Sequence, residues 1–155
     1  FICKLAQIML GLANVNKTVE EVRQHLENGQ ALAKFEEMVK AQGGDLEDLY
    51  RPVNVAHVVE IPAQETGVIS ALPAMEFGLY AMRLGAGRAV KSDALDYETG
   101  IVFEKKVGDS VQKGEIVAKV YTNGKISPQL VTDFQKYVKI NDSVQSLREI
   151  IEIIS

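Results

Sequence analysis

The chain has 155 residues, with 46% apolar and 25% charged side chains and a formal net charge of −4, the balance of a globular protein with room for one ordinary domain or two small ones. That negative balance opposes non-specific binding to nucleic acid, which needs a basic surface, and no apolar run reaches the roughly 18 residues needed to span a membrane. The one cysteine, Cys3, lies in an apolar run and cannot close an internal disulfide, so it reads as a small buried hydrophobe, and a cytoplasmic setting is the default expectation.

The opening stretch, FICKLAQIML, lacks the basic leader and small-residue cleavage site of a secretory signal. It starts without a methionine and inside a helical pattern, which leads to the expectation that the chain is a fragment whose natural N-terminus lies upstream. Ile2, Leu5, Met9 and Leu12 fall three and four apart, on one helical face, until Asn14 and Asn16 end the run. Thr18-Val19-Glu20-Glu21 has the capping-box form, and Val19, Val22 and Leu26 make the stripe of a second helix ending near Asn28-Gly29. A third helix turns Leu32, Phe35 and Met38 or Val39 inward and stops at Gly43-Gly44. Residues 45–52 read as a linker with one helical turn, broken by Arg51-Pro52.

The pattern then changes. Val53, Val55, Val59 and Ile61 recur with period two among β-branched neighbours and predict a strand. A second strand is expected over 67–72, and Pro73 then opens a helix whose face is Met75, Leu79 and Met82, widened by Phe77, Tyr80 and Leu84. Gly85 is placed to cap that helix. A strand over 100–107 and an antiparallel partner over 115–121 are joined through Gly108-Asp109 and Lys113-Gly114. Asn123-Gly124 marks a turn. Ser127-Pro128 opens a helix that buries Leu130, Val131, Phe134, Tyr137 and Val138 and ends at Asn141-Asp142-Ser143. Ile150 to Ile154 predict a final edge strand.

Four candidate sites read as ordinary structure. Gly85-Ala86-Gly87 follows a helix, whereas a dinucleotide loop follows a strand and carries a third glycine where Val90 stands. Asp93 and Asp96 read as loop acids that bond backbone amides, with Arg88 and Lys91 as possible ion-pair partners. His25 has no second ligand at metal spacing, and His57 falls within a strand pattern. No metal, cofactor-binding or catalytic residue is assigned.

Gly100-Ile101-Val102 followed by Gly108-Asp109-Ser110-Val111-Gln112-Lys113-Gly114-Glu115 resembles half of a biotinyl or lipoyl carrier barrel. Such carriers attach their cofactor to a lysine at a hairpin tip, flanked by characteristic residues. Lys125, in Thr122-Asn123-Gly124-Lys125, has neither flank. A non-enzymatic carrier or interaction module is therefore the alternative reading.

A resemblance covering almost the whole chain is carried by Leu84-Gly85-Ala86-Gly87-Arg88, Asp93, Asp96, Gly100-Ile101 and the run from Val107-Gly108-Asp109 to Lys113-Gly114-Glu115. Phe35 and Ala41-Gln42-Gly43-Gly44-Asp45 add to it upstream. The set is similar to the C-terminal part of pyrimidine nucleoside phosphorylases and thymidine phosphorylases. The resemblance implies a cytoplasmic homodimeric enzyme that cleaves uridine, thymidine or deoxyuridine with inorganic phosphate as co-substrate, giving the free base and a pentose 1-phosphate. It implies no membrane or nucleic-acid partner. In that family a Gly-rich loop with Lys, Ser and Thr holds phosphate, an Arg, a Ser and a Lys hold the base, and domain closure brings the reactants together. No such loop or base-binding run occurs here, so the resemblance places the catalytic residues upstream of Phe1 and leaves the fragment itself without activity. It implies an α+β fold: 1–44 as trailing helices of the α/β domain, 45–52 as linker, and 53–155 as a C-terminal domain of the α/β-hammerhead, or barrel-sandwich hybrid, type.

Overall fold

The computed structural model describes residues 1–144 of an α+β chain. The chain divides between Pro52 and Val53 into two compact units. The final strand expected over Ile150 to Ile154 lies outside the described residues.

The first unit holds four helices: α1 (Ile2–Leu12), α2 (Val19–Glu27), α3 (Gln30–Ala41) and α4 (Leu46–Tyr50). The capping box at the start of α2 forms in both directions. The Glu21 N–H donates to the Thr18 hydroxyl at 3.1 Å, and the Thr18 N–H donates to the Glu21 carboxylate at 2.8 Å. Gly29, with φ +81°, turns the chain directly into α3. Asp45 accepts from the Glu47 N–H at 2.9 Å and so starts α4 inside the segment expected to be a linker.

The apolar faces of these helices differ from expectation. Cys3 is buried as predicted, but Ile2, Leu5, Met9 and Leu12 all face solvent, Leu12 at 82% exposure. Leu26, Leu32, Phe35 and Met38 are also exposed, while Val39 is half-buried. Periodicity identified a real stripe on α1, but a stripe is buried only where something packs on it.

The second unit contains β1 (His57–Pro62), β2 (Gly67–Ala71), α5 (Ala74–Ala81), β3 (Gly100–Phe103), β4 (Ser110–Val111), β5 (Ile116–Thr122), α6 (Leu130–Gln135) and β6 (Lys139–Asn141). They form two antiparallel three-stranded sheets, ordered β1-β5-β3 and β4-β2-β6. The pairing of β3 with β5 is the predicted one, with Ile101 opposite Val120. The connection between them is more than a turn. After Phe103 the Glu104 and Lys105 N–H groups both donate to the Val117 carbonyl, at 3.0 and 3.3 Å, and the strand stops. The chain then crosses to pair Ser110–Val111 with β2 in the other sheet before returning as β5. Asp109 and Glu115 fasten this excursion by accepting from the Lys106 and Gln112 N–H groups at 2.7 and 2.9 Å. A Lys105–Glu115 ion pair at 2.5 Å closes it, lowering the Glu115 carboxyl and raising the Lys105 amine.

One core serves both sheets. Ile61, Ala118 and Val120 from the first sheet and Ile69 and Val111 from the second meet Phe77 and Tyr80 of α5 and Leu130 and Phe134 of α6. Phe134 is fully buried, with ring centroids 4.8 Å from Phe77, 5.4 Å from Tyr80 and 6.0 Å from Phe103. The Tyr80 hydroxyl donates to the Leu130 carbonyl at 3.0 Å, and burial pushes its pKa up to about 12.

Several expectations are corrected here. On α5 the inward residues are Phe77 and Tyr80, while Met75 and Leu79 are exposed. The helix is apolar nearly all round, so period alone could not choose the face, and the two aromatics fill the space beside Phe134. Strand β1 starts at His57 rather than Val53, which is exposed. Helix α6 begins at Leu130 with no side-chain cap: Ser127 and Pro128 form a turn in which the Leu130 N–H donates to the Ser127 carbonyl at 3.0 Å. Lys139–Asn141, expected to be the last residues of that helix and the start of its end at Asn141-Asp142-Ser143, is a strand paired with β2. Its three residues are too few to show an alternating pattern.

Two outcomes test this account. Phe134→Ala removes the ring shared by both helices and the first sheet, and is expected to lower stability by about 3–5 kcal/mol in urea unfolding. The Glu21 carboxyl is held at about 2, against its ordinary 4.5, by the Thr18 N–H first and by Lys17 next. Its folded pKa is depressed, so its contribution to α2 is complete above pH 4.5 and fades as pH falls toward 2. Far-ultraviolet circular dichroism is expected to show a loss of helix in that window that is absent from Glu21→Gln.

Candidate functional site

The segment joining α5 to β3 is long, polar and held at its base, which makes it the candidate region. Helix α5 runs into a single π turn, Met82–Ala86, in which Gly85 has φ +113° and ψ −5°. An L side chain disfavours that conformation. Gly85 therefore does more than cap: it swings the backbone out of the helix so that the next residues leave the core. The Asp96 N–H returns to donate to the Gly85 carbonyl at 2.9 Å. Residues 85–96 thus form a surface loop closed at its neck, of the Ω type.

Both acids singled out in the sequence work on backbone amides. Asp93 accepts from the Ala89 and Val90 N–H groups, each at 3.0 Å, and folds the loop interior. Asp96 accepts from the Glu98 N–H at 3.0 Å, the Thr99 hydroxyl at 2.7 Å and the Asn123 side-chain amide at 3.0 Å. The Thr99 bond, then the Glu98 amide, hold its carboxyl below the usual range. Arg88 and Lys91, expected as partners of these acids, make no ion pair with them among the described residues. Buried Thr122, at the end of β5, donates to the Leu84 carbonyl at 3.4 Å and accepts from the Gly124 N–H at 2.9 Å. Asn123 accepts from the Ala56 N–H at 2.8 Å. Thr122, Asn123 and Thr99 were not singled out as a group. Thr99 follows Asp96 by three residues, whereas Asn123 reaches Asp96 only because β5 pairs with β3.

This arrangement anchors a loop. Asp93 and Asp96 accept from separate backbone amides, as expected of loop acids. His25 is exposed and shares a hydrogen bond with Gln30, and His57 is an exposed strand residue opposite Thr122. Among the described residues no group of three or more His, Cys, Asp or Glu could hold a metal ion, and no helix is long and apolar enough to cross a membrane. Lys125 is exposed and follows β5, but the chain goes on to α6 rather than into a paired strand, so Lys125 is not at a hairpin tip. A groove of about 990 Å³ is lined by Glu65, Thr66, Ser70, Ile140, Asn141, Asp142, Ser143 and Val144. Its described lining carries two carboxylates, Glu65 and Asp142.

Comparison with known proteins agrees with the resemblance carried by the loop and strands. Residues 68–141 match the family described as "Pyrimidine nucleoside phosphorylase C-terminal domain". The chain is 39% identical over 143 residues to a pyrimidine-nucleoside phosphorylase of Bacillus subtilis, covering 88% of this chain and 33% of the relative. It is 38% identical over 156 residues to one of Staphylococcus haemolyticus, covering 96% and 33%, and 34% identical over 158 residues to one of Staphylococcus aureus, covering 97% and 36%. The chain spans about a third of the length of these curated relatives.

Glycine substitutions test the loop geometry by sign. A Cβ at Gly85 meets only Asp96 Cβ, at 3.5 Å, so Gly85→Ala is resisted by the backbone and is expected to cost about 1–3 kcal/mol. Gly78, inside α5, has nothing within 4 Å, and Gly78→Ala is expected to stabilise by about 0.5–1 kcal/mol. Urea unfolding of the two variants measures both.

Proposed function

The chain is a C-terminal portion of the pyrimidine nucleoside phosphorylase family, and we propose that it acts as the non-catalytic end of a longer enzyme. The complete polypeptide phosphorolyses uridine, thymidine or deoxyuridine with inorganic phosphate to the free base and a pentose 1-phosphate. It works as a cytoplasmic homodimer, and its phosphate- and base-holding residues lie upstream of Phe1. Residues 1–44 are the trailing helices of its α/β domain, 45–52 the linker, and 53–155 a C-terminal domain of α/β-hammerhead type. The chain itself contributes no catalytic residue and no cofactor or metal site.

The observation that carries this reading is coverage. Nearly all of the chain aligns with about a third of relatives named for the activity. The first unit supports it. Ile2, Leu5, Met9 and Leu12 make an exposed stripe along α1, with Phe35 and Met38 exposed on α3. Fully burying each such side chain is worth about 1.5–3 kcal/mol. Helices at the edge of a larger domain would gain that burial from the remainder of the polypeptide.

The 155-residue chain alone is expected to show no phosphorolysis of uridine or thymidine in an assay of free base release. Turnover by a pure sample would refute the placement of the chemistry upstream. A chimera in which this chain replaces the matching third of the Bacillus subtilis relative is expected to be active on uridine. A chimera that folds and yet is inert would count against the family role.

A further inference from the structure

Asp96 and Ala56 never touch, yet the identity of residue 96 decides what Ala56 bonds to. Asp96 is ionised and offers only acceptors. Its Oδ2 takes the Thr99 hydroxyl at 2.7 Å and the Asn123 Nδ2 at 3.0 Å. The Asn123 amide must therefore point its NH₂ at the carboxylate, which aims Oδ1 at the Ala56 N–H, 2.8 Å away. If the amide were reversed, its carbonyl would face the carboxylate and its NH₂ would face another N–H, so both bonds would be lost together. The same Asp96 closes the neck of the 85–96 loop through its own N–H on the Gly85 carbonyl at 2.9 Å. Beside it, Thr122 braces the Leu84 carbonyl and the Gly124 N–H. Ala56 ends the segment that leads from Val53 into β1. No ladder bond secures that segment, because β1 begins only at His57.

We propose that Asp96 and Asn123 form a conformational tie that makes the 85–96 loop and the segment 53–56 open and close together. Asp96 is the positioning residue and Asn123 the link. Whatever engages the loop and strains its neck is thereby felt where the polypeptide enters the second unit, and by reciprocity a pull on 53–56 loosens the loop. The tie is a property of the folded unit and holds whatever reaction the complete polypeptide catalyses.

Residue-resolved amide hydrogen exchange by nuclear magnetic resonance, on the 155-residue chain and three variants, tests it. In Asp96→Asn, Ala56 is expected to exchange about fivefold faster, the loss of one net hydrogen bond, although its partner Asn123 is intact. Unchanged exchange of the β1–β5 ladder amides shows that the unit is still folded. Asn123→Ala leaves the bonds of Asp96 to Glu98 and Thr99 in place, and is expected to speed the Asp96 amide at the loop neck as well as Ala56. Asp93→Ala frees Ala89 and Val90 without moving Ala56. The tie is refuted if Asp96→Asn speeds Glu98 but not Ala56, or if Asn123→Ala leaves the Asp96 amide unchanged. It is equally refuted if Asp93→Ala moves Ala56 as much as Asp96→Asn does. Should Asp96→Asn fail to fold, the Asn123→Ala and Asp93→Ala pair decides alone.

Discussion

Phe134 sits where the elements of the second unit converge, and most of the architecture follows from enclosing it. Three-stranded sheets of such short strands bury little alone. Here two of them share one interior, closed by α5 and α6, and the ring of Phe134 meets Phe77 and Tyr80 of α5 and Phe103 of β3. Ile61 and Val120 approach from one sheet and Ile69 and Val111 from the other. Enclosure from both sides requires the chain to change sheets. It does so between β3 and β5, where an apparent hairpin connection detours to place Val111 in the second sheet. The amide bonds to Asp109 and Glu115 and the Lys105–Glu115 pair make that detour self-supporting.

At the end of β5 the core gives way to a polar junction. Thr122 is fully buried but bonded on both sides, and no buried side-chain polar atom among the described residues lacks a partner. From that base Asn123 and Asp96 reach a loop that is otherwise exposed. A rigid sheet end thus fixes the neck of a surface loop, an arrangement in which recognition and movement are commonly placed.

Local chemistry was well legible in the sequence. The capping box at Thr18 and Glu21 and the amide-bonding roles of Asp93 and Asp96 depend on neighbours a few residues away, and the antiparallel pairing of the strands around Val102 and Val120 was legible from two strand patterns close together in the chain. Faces were less legible. On α5 both the Met75–Leu79 stripe and the Phe77–Tyr80 pair fit a helical period, and only the company of Phe134 selects the second. On α1 the predicted stripe exists but is uncovered in this chain. The short strand Lys139–Asn141 was missed because its pairing with β2, some seventy residues away, supplies all of its order. The cap at Ser127 was misplaced because Ser-Pro also opens a turn.

The sequence by itself determined the kind of each long element, the glycine turns, the lack of carrier-type flanks around Lys125 and the family resemblance. Those properties reside in residue types and their spacing along the chain. Tertiary structure alone decided which faces are inside, that the connection from β3 to β5 visits the second sheet, and that Asp96 meets Asn123 and so reaches Ala56. These depend on contacts between segments far apart in sequence, and a single sequence carries no record of which of several equally apolar or equally polar partners will be brought into reach.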